Sequence, residues 1–227
     1  MNDSNTSTKV NVRIDIVSDV VCPWCIIGYK RLEQALELLR DNVDATIHWR
    51  PFELNPNMPE GGENLRAHLA AKYGTTLENS IKARAMLTQL GQELGFEFHY
   101  FDDMRMFNTF KAHQLIHFAG QSNKATAMKL RLFSAFFSEA KVIEDTEVLV
   151  AEAVAVGLDE SSVRAVLTEQ TYAEDVREEQ QVWTSKGISS VPAFIFNNKV
   201  GLSGAHEVQT FANAIQSAIA QTTNIDG

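Results

Sequence analysis

The feature that constrains this chain most is the placing of its only two cysteines, three residues apart in Cys22-Pro23-Trp24-Cys25. What flanks them narrows the fold further. Val10, Val12, Ile14 and Ile16 alternate with other residues at the period of a half-buried strand, which runs into Ser18-Asp19-Val20-Val21 just before the pair. After the pair, Ile26, Tyr29, Leu32, Ala35, Leu36 and Leu39 recur at helical spacing with charged residues between them. A strand, a tight loop and a helix place Cys22 at or beside a helix N-cap, with Pro23 at the first helical position, where its missing N–H costs nothing. Cys25 then falls one turn deeper on the same face, within disulfide reach.

The positive end of a helix favours thiolate over thiol, so Cys22 is expected to be the exposed, attacking sulfur and Cys25 the less accessible, resolving one. Lowering a thiol pKa from about 8.5 to about 6 raises the thiolate fraction at pH 7 roughly thirtyfold. A Brønsted coefficient of about 0.45 returns roughly thirteenfold of that in lost nucleophilicity. The larger gain is therefore to the sulfur as a leaving group. Pro23 and Trp24 are expected to modulate that balance, with Trp24 a partly exposed apolar surface. A metal site is not expected. Zinc needs about four ligands and there is no second cysteine pair. His113 and His117 are four apart on a predicted helix, but no Glu follows His113 as a zinc protease motif requires.

Along the chain, Ala45 to Phe52 reads as a second strand that stops at Leu54-Asn55-Pro56-Asn57-Met58-Pro59. From about 63 to 168 the character changes, with helices expected near 63–73, 78–94, 108–120, 124–138, 146–155 and 159–168. Phe133, Phe136 and Phe137 are expected in the core of this block. A further helix over 170–186 precedes strand-like segments at 193–197 and 199–202 around Asn197-Asn198, and a last helix covers 206–221. The order predicts an α/β fold in which 9–60 and 170–222 form one discontinuous domain. Residues 61–169 are an all-helical insertion and 1–8 a loose polar tail. With 20 Lys and Arg against 29 Asp and Glu, the net charge of −9 removes the electrostatic term on which nucleic-acid binding depends. The polar N-terminus lacks a signal-like apolar run and no segment reads as a membrane span, so the chain is expected in the cytoplasm. Thiols are kept reduced there, and a close pair is more often catalytic than structural.

Four segments in order carry a resemblance: Ser18-Asp19-Val20-Val21-Cys22-Pro23-Trp24-Cys25, Pro51-Phe52-Glu53-Leu54-Asn55-Pro56, Asn108-Thr109-Phe110-Lys111-Ala112-His113 and Val191-Pro192-Ala193-Phe194. Over roughly 10–220 the chain resembles the DsbA-like thioredoxin-fold proteins of the FrnE branch. The resemblance implies a thioredoxin fold with a large helical insertion. It also implies a cis Val191–Pro192 bond facing the cysteines, with the Val191 backbone available to an extended substrate. Asn55 matches an asparagine near the thiol site of related kappa-class glutathione transferases and 2-hydroxychromene-2-carboxylate isomerases, which carry Ser where Cys22 stands. Their Ser-Asp pair for glutathione is not reproduced at Ser203-Gly204-Ala205-His206. Val191, Pro192, Asn55 and His113 are accordingly taken as substrate-side residues. The implied activity is a cytoplasmic thiol–disulfide oxidoreductase or isomerase working through a mixed disulfide on a protein disulfide or a small thiol. It needs no cofactor beyond the dithiol, nucleic acid and membrane are not expected partners, and glutathione as reductant or substrate and a homodimer stay open. A glutathione-dependent isomerase or transferase and a holdase-type interaction protein are the alternatives.

Overall fold

A computed structural model describes residues 9–223, so the expected tail at 1–8 lies outside the described residues. The chain opens with strand β1 (Val10–Ser18), helix α1 (Pro23–Leu38) and strand β2 (Val43–Pro51). Two short strands, β3 (Glu63–Asn64) and β4 (Arg105–Met106), pair with each other and bracket α2 (Leu65–Tyr73) and α3 (Leu77–Glu93). Helices α4 (Phe110–Gly120), α5 (Ala125–Phe137), α6 (Thr146–Ala155), α7 (Glu160–Glu169) and α8 (Ala173–Ser185) follow. Strands β5 (Ala193–Phe196) and β6 (Val200–Ser203) and helix α9 (Val208–Thr223) close the chain. The helical stretch expected from 63 onward is present, and the β3–β4 pair inside it was not anticipated. Two residues per strand give too short a run for alternation to register.

The main sheet has the order β2-β1-β5-β6, with β1 parallel to β2 and the other neighbours antiparallel. This is a thioredoxin fold with a helical insertion. Alternation along β1 sorts its side chains between two faces. Val12, Ile14 and Ile16 join the large core cluster with Phe194 and Phe196 of β5, which lie beside Ile16 and Ile14 in the register. Val17 faces the other way and packs with Trp183 of α8 and Ala193. Between β5 and β6 the chain turns through Asn197 and Asn198, both in the left-handed region (φ 50° and 54°). Lys199 N–H closes the turn onto Phe196 C=O at 2.9 Å, the mirror-image turn that suits hairpin twist and favours asparagine.

The insertion is seated on the sheet. Trp49 of β2 donates from Nε1 to Thr126 Oγ1 of α5 at 2.9 Å and meets the Phe133 ring edge-on at 6.4 Å. Phe133, Phe136 and Phe137 are fully buried, as their spacing predicted.

Candidate active site

The loop between β1 and α1 ends at Cys22, which occupies the N-cap of α1 with extended backbone (φ −94°, ψ 111°) and Pro23 directly after it. Helices α2, α3, α6 and α7 are capped by side-chain oxygens of Asn64, Thr76, Asp145 and Asp159. At α1 the cap position holds a sulfur, the side chain makes no capping bond, and no acidic residue stands in the first turn. The partial positive charge of that helix end is therefore left to the sulfur. Cys25 N–H bonds back to Cys22 C=O at 3.0 Å, which fixes the turn carrying both thiols.

The Cys22 residue is only 4% exposed, so the expectation of an exposed sulfur needs correction. Its Sγ lies 3.7 Å from Val191 C=O, in the direction of a thiol donating to that oxygen, and the Val191 loop covers it. The exposed member of the motif is Trp24, at 38%. Val191–Pro192 is a cis peptide, as the resemblance implied, and Pro192 C=O accepts from Gly204 N–H at 2.8 Å. Cys25 is fully buried, and both thiols are free.

Beneath the dithiol is a buried ionic cluster. Asp19 accepts from Leu54 N–H at 2.8 Å through Oδ2 and faces His113 Nε2 at 3.3 Å through Oδ1. His113 Nε2 also lies 3.0 Å from Phe52 C=O. Both partners are acceptors, so this nitrogen carries the proton and the ring is held at that edge. Lys129 of α5, 1% exposed, donates to Ser18 C=O at 3.3 Å, and its ammonium lies over the rings of Trp49 and Phe133 at 5.5 and 5.2 Å. Burial raises the Asp19 pKa, but His113, Leu54 N–H and the charge of Lys129 outweigh it and hold the carboxylate ionised. Burial pulls Lys129 down to about 8, against the opposing charges of Cys25, Asp19 and Cys22. Cys25 is pushed well up by burial and then by Cys22, with Lys129 and a backbone hydrogen bond from Asp19 pulling the other way. On their other side Lys129 and His113 line a cavity of about 370 Å³ shared with His48, Arg50, His117 and Glu179.

Two of the residues taken as substrate-side make contacts that the sequence did not indicate. His113 is buried, and its Nε2 edge is engaged by Asp19 and Phe52, so that edge supports the cluster. Asn55 follows Leu54 but turns toward α2, where its Oδ1 accepts from Lys72 Nζ at 2.7 Å and lies 2.9 Å from His68 Nε2. Sequence reasoning missed Lys129 as a site residue, because a lysine on an amphipathic helix reads as solvated. A signal was present, since Met128, Leu132 and Phe133 place Lys129 on the edge of the apolar stripe of α5. Among the described residues no group of three His, Cys, Asp or Glu could hold a metal ion, and no helix is long and apolar enough to cross a membrane.

Comparison with known proteins agrees with this geometry. Residues 13–216 match the DSBA-like thioredoxin domain family. The uncharacterised protein YwbO of Bacillus subtilis is 31% identical over 210 residues, 91% of this chain and 96% of that protein. The crystal structure of a probable DsbA oxidoreductase, SCO1869 of Streptomyces coelicolor, superposes with a TM-score of 0.87 at 30% identity, over 92% of this chain and 90% of that one. The cytosolic disulfide reductase DsbM of Pseudomonas aeruginosa, solved with glutathione, shares the fold at a TM-score of 0.61 and 14% identity, over 95% of this chain and all of that one. With the matched region running from β1 into α9 and enclosing the cysteine pair, the chain belongs to the DsbA-like thioredoxin-domain family.

Proposed function

We propose that this protein is a thiol–disulfide oxidoreductase in which Cys22 attacks and Cys25 resolves. The observation that carries the reading is the placement of the two free thiols on the first turn of α1, the outer one at an otherwise uncapped helix end and the inner one against Asp19 and Lys129. Cys22, as thiolate, attacks one sulfur of a substrate disulfide. The substrate S–S bond breaks, a Cys22–substrate disulfide forms, and the first substrate sulfur leaves as a thiolate that takes up a proton. Cys25 then gives up its proton and attacks Cys22 Sγ. The mixed disulfide breaks, Cys22–Cys25 forms, and the second substrate sulfur leaves and is protonated. The substrate gains two electrons and the protein dithiol loses them. The Lys129 ammonium favours the Cys25 thiolate at the moment of resolution, while burial keeps that thiol protonated until then.

A cytoplasmic setting, in which such a dithiol is kept reduced and works as a reductase or isomerase, accords with this scheme and with the cytosolic compartment in the name of DsbM. The test is trapping. Cys25→Ser should accumulate a covalent adduct with a disulfide substrate that dithiothreitol releases, and Cys22→Ser should abolish both adduct and turnover. Turnover that persists in Cys22→Ser would overturn the scheme.

A further inference from the structure

We propose that the free edge of β2 is a docking strip for an extended peptide, which adds a strand to the sheet inside the cavity lined by Lys129 and His113. This goes beyond the thiol chemistry, since it gives the protein a contact for polypeptide that does not depend on Cys22. The first observation is where the cavity lies. It takes in every residue from 46 to 51 of β2, and across from them Ile116, Gly120, Ala125 and Thr126. Side chains of a strand alternate between faces, so a cavity on one face of the sheet would touch every second residue. Six in a row place it along the edge, and β2 is the outermost strand in the order β2-β1-β5-β6.

Which backbone groups meet the cavity follows from the pairing. Val10 N–H donates to Asn42 C=O at 2.8 Å, while Arg13 C=O accepts from Asn197 N–H at 2.8 Å on the β5 side. Even-numbered residues of β1 therefore turn their N–H and C=O toward β2, and odd-numbered ones toward β5. In a parallel pair each such residue bonds to the two residues that flank its partner. Ile14 opposite Ile47 and Ile16 opposite Trp49 thus engage Thr46, His48 and Arg50. The N–H and C=O of Ile47 and Trp49 and the C=O of Pro51 point outward, and among the described residues no protein group bonds to them. Trp49 is only 8% exposed and Pro51 is buried, so bulk water has little access to this row, and buried backbone groups are nearly always paired. Donors and acceptors alternating at a repeat of about 6.6 Å are what a sheet edge offers to another strand. Pro51, whose missing N–H would have pointed outward, ends the strip. Charge does not choose the occupant, because Arg50 is already paired with Asp15 and Glu179. Small side chains on the far wall at Gly120, Ala125 and Thr126 leave the space, and exposed Gln121 and Asn123 mark where a chain enters.

Main-chain bonds carry the affinity in this mode of binding, so one simple peptide suffices as probe. Amide hydrogen exchange of the reduced full-length protein is followed by NMR with millimolar Ac-Thr-Val-Thr-Val-Thr-NH2, which has neither charge nor cysteine, and with the same peptide N-methylated at all five residues. Exchange at Ile47 and Trp49 is expected to slow about tenfold or more with the first peptide, to change little at His48 and Arg50, and not to slow with the second. Ile47→Pro deletes an outward N–H without touching the bonds to β1 and should weaken peptide binding about tenfold, while Ile47→Val should not. Should Ile47→Pro fail to fold, Ala125→Leu fills the groove from the opposite wall and should abolish the protection. No slowing at Ile47 or Trp49, or slowing that Ile47→Pro and Ala125→Leu leave intact, overturns the proposal. A protein that is already dimeric, with both amides protected before peptide is added, assigns the edge to a second copy of the chain and overturns it as well. The trapping experiment at Cys22 is untouched by any of these results.

Discussion

A buried ammonium beside two thiols leaves a thermodynamic trace that can be separated from catalysis. Lys129 titrates near 8 in the folded protein, because burial disfavours its charge, and near 10.5 in the unfolded chain. Below pH 8 both states bind the proton, and the folded state carries the full cost of the buried charge. Between about 8 and 10.5 the unfolded state holds more protons than the folded one, so stability rises with pH and about 3 kcal/mol of penalty is relieved. With both cysteines changed to serine no thiol titrates and the two sulfur charges that hold the Lys129 pKa up are gone, so the parent should gain at least about 3 kcal/mol relative to its Lys129→Met variant between pH 7 and 10 in urea denaturation. A constant difference would show that the amine is solvated. Asp19 supplies the complementary case. Asp19→Asn removes the charge facing His113 and acting on Lys129, and it should cost about 3 kcal/mol at pH 7. Its depressed pKa means that stabilisation is complete above the ordinary carboxylate range and is lost as pH falls through the folded value, so the cost should shrink in acid. Thermal melts of both proteins at pH 7 and pH 3 would check this.

At the scale of elements, α1 is held by contact with the sheet as much as by its own propensity. Gly28 lies where a Cβ would come within 2.9 Å of Phe194 Cζ and 3.4 Å of Ala205 Cα, so the helix rides directly on β5 and the loop after β6. Phe194 is fully buried and meets the Phe211 ring edge-on at 4.7 Å, which leaves it little room to yield. Gly28→Ala gains about 1 kcal/mol of helix propensity, yet overpacking costs about 1–3. The expected net effect is a loss of roughly 1 kcal/mol, read as a lower denaturation midpoint, and a stabilised variant would show that the ring moves aside. Most elements were legible because their cause is local. The β1 alternation, the α1 stripe and the paired asparagines of the last hairpin are each visible in a window of ten residues. Boundaries shifted where pairing decided them: β2 runs Val43–Pro51, two residues ahead of the expected Ala45 start, because Val43 pairs with Val10. The burial of Cys22 was not legible, since its cover comes from Val191, 169 positions away in sequence.

For the molecule as a whole, the insertion and the sheet share one interior. A single buried cluster runs from Val12 and Ile14 of β1 through Phe133, Phe136 and Val163 of the insertion to Phe211 and Ala218 of α9. Polar ties cross the same boundary, from His113 to Asp19 and Phe52, from Lys129 to Ser18, and from Trp49 to Thr126. Reading the sequence as a domain plus an insertion captured the chain order but not this continuity, because apolar stripes show that a helix is buried without showing against what. The consequence is cooperative unfolding. All three tryptophans, Trp24, Trp49 and Trp183, lie on α1, β2 and α8, while α2 to α7 belong to the block between β2 and α8. Tryptophan emission therefore follows the sheet and its flanking helices, and far-UV circular dichroism is weighted toward the insertion. If the interior is one unit, the two signals must move together through a single urea transition with one midpoint and one slope. Were the insertion to melt separately, the dichroism would fall first and the emission later, and the ionic cluster beneath the thiols would come apart in the first step.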